Sequence, residues 1–204
     1  MNGWKTLMSV GAIAIGAGVA SADLTQADWL NPGDGLLTRD SESGLLWLDW
    51  TYTANRSCND VAGNLTSEFA GFRYATEDEI RTLYAHAGAV TIPDINGSDP
   101  ANIPALQLLM SLVGATFNDG AEAIYDLPGN ASQNPSSNPD WGGPGPYHMG
   151  TAFNASFGQI APRWINFDDN ATQPWMGHAL VMIPAPGSMA LIALGALAAV
   201  RRRR

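Results

Sequence analysis

Lysine is almost missing from this 204-residue chain: Lys5 is the only one. Cysteine also occurs once, at Cys58, which excludes an intrachain disulfide and suits a small buried apolar residue. The three histidines, His86, His148 and His178, lack the spacing of a zinc site. Long apolar runs are missing too. The two candidates, Leu7–Val19 and Met189–Val200, fall short of the ~20 residues needed to cross a bilayer core.

What is abundant is acid. All nineteen Asp and Glu residues lie between residues 23 and 183, against five arginines, giving that segment a formal charge of −14. Such a surface repels nucleic acid and bare anionic lipid, and suits cations or solubility outside the cell.

Both ends of the chain read as addresses. Lys5, the apolar stretch Leu7–Val19 and the small-x-small triplet Ala20-Ser21-Ala22 follow the plan of a secretory signal peptide, with Ala20 and Ala22 at the cleavage site. Residues 1–22 are therefore the expected signal, and 23–183 the exported domain, long enough for one core. Residues 184–204 follow as Pro184-Ala185-Pro186-Gly187-Ser188, a short apolar run and the cluster Arg201, Arg202, Arg203, Arg204. The prolines end regular structure and the arginines hold the chain end on the cytoplasmic side.

This order resembles the sorting tail of PEP-CTERM exported proteins, with Ala185 where that family usually has glutamate. The resemblance implies export machinery and an exosortase-type membrane protease as partners, and a bacterium that makes exopolysaccharide and biofilm. It also implies a precursor in the inner membrane that moves to the cell surface or matrix. A plain, uncut membrane anchor is the competing reading of the same residues.

The domain reads as an α+β fold of about three helices against a mainly antiparallel sheet. A turn at Asp34-Gly35 opens it, and Leu36–Thr38 and Leu45–Trp50 have strand character. Ser57 caps a helix over 58–67, and Thr76-Glu77-Asp78-Glu79 is a capping box for a helix ending at Gly88. Asn102 caps a nearly apolar third helix through Val113. Strands are expected at Gly71–Ala75, Ala121–Leu127, Tyr147–Phe153, Ile160–Phe167 and Gly177–Ile183. Between the second and third of these, Pro128–Pro146 is a long Gly/Pro/Asn/Ser loop. Gly44–Trp47, Gly71–Thr76 and His178–Val181 resemble domains common in PEP-CTERM exoproteins and, more distantly, C-type-lectin-like bacterial surface domains. There a tryptophan-bearing early strand precedes two helices, and the last strand pairs back near the first. This chain is also expected to carry a hydrophobic helix at each end.

Chemistry is sparse. Asp94–Asp99 fails as an EF-hand loop, because glycine stands at its fourth position and Ala105 at its twelfth. Asp140, Asp168 and Asp169 are the candidate oxygen ligands for calcium, with solvated turn carboxylates as the plainer reading. Trp141, Tyr147 and Trp175 are the candidate ligand-binding aromatics, since a ring face can stack on a sugar beside Asp and Asn. Trp47 and Trp164 read as core. The expectation is a non-enzymatic surface or matrix protein with a binding or structural role in the extracellular polysaccharide layer, without catalytic residues. A secreted hydrolase, built on a Cys58–His pair or paired carboxylates, and a calcium-dependent adhesin are the alternatives.

Overall fold

The computed structural model describes residues 23–125, 148–166 and 169–183. The hydrophobic helices expected at both ends, and all of the long loop Pro128–Pro146, lie outside these residues. Among the described residues no helix is long and apolar enough to cross a membrane.

Strands and helices assemble into an α+β fold with two five-stranded sheets instead of the single sheet expected. The first sheet contains β1 (Leu24–Ala27), β2 (Leu37–Asp40), β3 (Leu46–Leu48) and β4 (Arg73–Tyr74), with β10 (Leu180–Met182) between β3 and β4. All its pairings are antiparallel. The second holds β5 (Gly97–Ser98), β8 (Gln159–Asn166), β7 (His148–Asn154), β6 (Gly120–Tyr125) and β9 (Met176–His178) in that order. Its β6–β9 pair is parallel.

The strand expected over Gly177–Ile183 is thus two strands in two sheets. Ala179 makes the crossing: its amide donates to Ile124 in the second sheet, while its carbonyl accepts from Ala75 beside the first. The last strand does return to the tryptophan-bearing one, with Val181 opposite Trp47. β1 precedes the turn expected to open the domain. The Leu45–Trp50 run pairs only over β3, because Trp50–Thr53 coils into a 3-10 turn that buries Trp50.

Two of the three helices follow their expected caps. Asn102 precedes the third but makes no cap bond, because its side chain accepts from the Val90 and Thr91 amides and donates to the Thr91 carbonyl. α1 (Cys58–Gly63) starts at Ser57, whose hydroxyl accepts from Asp60 N, and stops earlier than expected as the chain turns at Asn64. α2 (Glu77–His86) carries the full capping box, with Thr76 and Glu79 bonded reciprocally. Its Ile80, Leu83 and Tyr84 are buried, and Gly88 beyond it has the left-handed φ that favours glycine. α3 (Ile103–Val113) buries Leu106 and Leu109 and leaves Leu108 exposed. Ile80, Leu83, Tyr84, Leu106 and Leu109 join Trp47, Trp50, Phe153 and Val181 in the larger of two apolar clusters among the described residues. Each large side chain so buried contributes about 1.5–3 kcal/mol of transfer free energy.

Candidate functional site

Where the N-terminal half of α2 meets β3 and β4, a cleft of about 360 Å³ opens at the surface. It is lined by Leu45 and Trp47 from the β3 segment, Arg73 from β4, and Asp78, Glu79 and Thr82 from α2. Ser43 and Ile183 complete it. Capping chemistry fixes one wall, since Glu79 must lie in the first turn of α2 to close the box with Thr76. Arg73 then grips Glu79 with both guanidinium nitrogens, at 2.8 and 2.6 Å, and also donates to the Tyr74 carbonyl. The paired guanidinium holds the Glu79 carboxyl below its ordinary range.

The opposite wall is the turn between β2 and β3. There Asp40, fully buried, accepts from the Ser43 hydroxyl at 2.6 Å and from the amides of Glu42 and Ser43. Burial alone would raise its pKa, but the Ser43 hydroxyl, His86 and these amides outweigh it and hold the carboxyl low. His86 does more than complement the end of α2. Its Nδ1 lies 2.7 Å from Asp40 Oδ2 and its Nε2 lies 3.4 Å from Glu42, so it clamps the turn to the helix.

Of the candidate ligand and metal residues, Trp175 and Asp169 fall among the described residues, and neither lines the cleft. Trp175 is 43% exposed on the loop before β9, and Asp169 is half-buried on the same loop. Asn59 N donates to the Asp169 carbonyl, and the Asn59 side chain donates to that of Asn170. Trp141, Tyr147, Asp140 and Asp168 lie outside the described residues, as do the side chains of Trp164 and His148. So do Ala20, Ala22, Pro184, Ala185, Pro186 and Arg201–Arg204. Among the described residues no three His, Cys, Asp or Glu side chains gather as a metal centre. Asp94 and Asp99 have local partners: Asp94 meets Arg81, and Asp99 accepts from Ala101 N and Thr91 Oγ1.

Cys58 is buried, at 1% exposure. His178 is fully buried, and both its ring nitrogens hold structural positions. Nε2 lies 2.9 Å from the Arg56 carbonyl, an acceptor only, so Nε2 carries a proton; Nδ1 lies 2.9 Å from the Tyr74 hydroxyl and accepts from it in the neutral ring. Burial pushes the Tyr74 hydroxyl's pKa up, keeping it a donor. A base that would take a proton from a thiol needs a lone pair to spare, and the neutral His178 spends its own on Tyr74.

Sequence reasoning misses the cleft because its lining comes from four separate segments. Its one local signal is the capping box that places Glu79.

Ile183 lies 68% exposed on the cleft rim, immediately after β10, an interior strand of the first sheet. A family model describing the PEP-CTERM protein-sorting motif matches from this residue through residue 204. The chain carries a PEP-CTERM sorting motif. The motif indicates an exported protein processed at the membrane by an exosortase-type membrane protein. No curated protein and no solved structure matches the chain. The PEP-CTERM match therefore assigns the route of the protein, and the geometry of the domain must speak for its activity.

Proposed function

We propose that this PEP-CTERM protein is a non-enzymatic binding component of an exopolysaccharide or biofilm matrix, and that the cleft between α2 and β3/β4 takes a stretch of saccharide. The observation carrying this reading is the composition of the cleft. An apolar floor of Leu45 and Trp47, with Ile183 at the rim, is bordered by Ser43, Arg73, Asp78, Glu79 and Thr82. A sugar presents the matching pair of surfaces, an apolar ring face and a fringe of hydroxyls. Glu79 supports binding over hydrolysis, because Arg73 stabilises its ionised form, whereas a glycosidic general acid needs a raised pKa. The acidity of the domain argues for a neutral polysaccharide, or for an acidic one bridged by calcium.

The test is isothermal titration of the processed protein with host exopolysaccharide fragments, with and without calcium. The reading expects saturable binding that weakens about tenfold in Thr82→Trp, which fills the cleft, and survives in Trp175→Ala. Loss in Trp175→Ala alone would move the site to the β9 loop. Binding only with calcium would favour an adhesin, and shortening of the saccharide would identify a hydrolase.

A further inference from the structure

The sorting motif begins on the cleft. Ile183 both lines the cleft and starts the matched segment, and β10 before it is held on both edges, by β3 through Val181–Trp47 and by β4 through Leu180–Tyr74. The folded domain therefore cannot give up chain to lengthen the tail without removing β10 and, with it, the only strand partner of β4 in the first sheet.

Only five residues, Pro184 to Ser188, separate Ile183 from the apolar run that starts at Met189. Fully extended, the chain from Ile183 to Met189 spans about 20 Å. A membrane protein that reads this motif must take the segment into its own binding groove, and extended substrates dock through several successive residues. With so short a tether, that groove is brought against the surface from which the tether leaves. That surface carries Arg73, Asp78, Glu79 and Thr82.

We infer that the cleft face is the docking surface for the exosortase-type processing protein, so that the cleft is covered until the tail is removed. The face is polar and charged at its rim, with Asp78 exposed and the Arg73–Glu79 pair beside it, as befits a partner that binds and then leaves. The inference concerns the face and holds whatever ligand the cleft takes.

Cysteine footprinting on the full chain in membranes tests it, since the sole native thiol, Cys58, is buried. Asp78→Cys and Thr82→Cys place a thiol on the cleft. Ser156→Cys places one on the exposed turn between β7 and β8 in the other sheet. Each is treated with a polymer-linked maleimide in membranes with and without an inactivated processing protein. The two cleft thiols should label about tenfold more slowly with that protein present, as for a face covered about nine-tenths of the time. Ser156→Cys should be unaffected. A flexible spacer of about twenty Gly and Ser residues after Ile183 should restore fast labelling at the cleft. Equal labelling with and without the protein, equal protection of Ser156→Cys, or protection by membrane alone would each overturn the inference. None of these outcomes depends on saccharide binding, so its failure and that of the proposed function are separable.

Discussion

His86 Nδ1 and Asp40 Oδ2 lie 2.7 Å apart, joining the last turn of α2 to the turn between β2 and β3. Ser43 and Leu45 of that turn line the cleft, so this contact ties part of its lining to the helix that supplies Asp78, Glu79 and Thr82.

Asp40→Ala should therefore cost about 2–4 kcal/mol, since it strips acceptors from Ser43, His86 and two amides in a buried site. The pH dependence has a definite sign. A depressed pKa in the folded state stabilises the protein above the ordinary carboxylate range and stops doing so as pH falls through the folded value. Urea unfolding from neutral to strongly acid pH should show the wild type losing stability in acid, and Asp40→Asn losing less. Equal acid slopes would contradict this.

Asp49 behaves in the opposite way. It sits at the start of the 3-10 turn but makes no cap, and its Oδ1 is buried without a hydrogen-bond partner. Burial, aided by the charge of Asp34, pushes its pKa from 3.8 up to about 6. Asp34 stays ionised, at about 2: burial opposes this, but amides of Trp29, Asn31, Leu36 and Leu30 all donate to its carboxylate. The folded state thus holds the Asp49 proton more tightly than the unfolded chain, and stability falls as pH rises from about 4 to about 6. Because Asp49 is partly exposed, the gain expected of Asp49→Asn near neutral pH is held to about 1 kcal/mol. Chemical denaturation of both proteins across this range would show parallel curves if the idea is wrong.

Glycine at 177 is a packing requirement. A Cβ there would run into the backbone carbonyl of Trp50, where β9 crosses the 3-10 turn. Gly177→Ala should cost about 3 kcal/mol through backbone displacement. Gly63 in α1 has open space around its Cβ position, so Gly63→Ala should be neutral or gain up to about 1 kcal/mol. Melting curves that rank the two variants in the reverse order would refute this contrast.

Local chemistry is legible in the amino-acid sequence. Thr76 and Glu79 announce the start of α2, Ser57 that of α1, and Trp47 the buried strand that the last strand joins. The division into two sheets is not legible there. Gly177–Ile183 reads as one strand, and the switch at Ala179 arises from hydrogen bonds to Ile124 and Ala75, far away in sequence. The Asp40–His86 contact and the cleft are hidden for the same reason, because their partners meet only across the fold. Trp175 is exposed as an unpaired turn tryptophan should be, yet exposure does not bring it to the cleft.

Intact mass of the protein from its native host, taken with membrane fractionation, tests the central claim of export and processing most directly. The account predicts a chain that begins at Asp23, has lost the Met189–Arg204 segment and has left the inner membrane. A mass that retains Arg204, in protein still held in the inner membrane, would contradict it and make the tail a plain anchor.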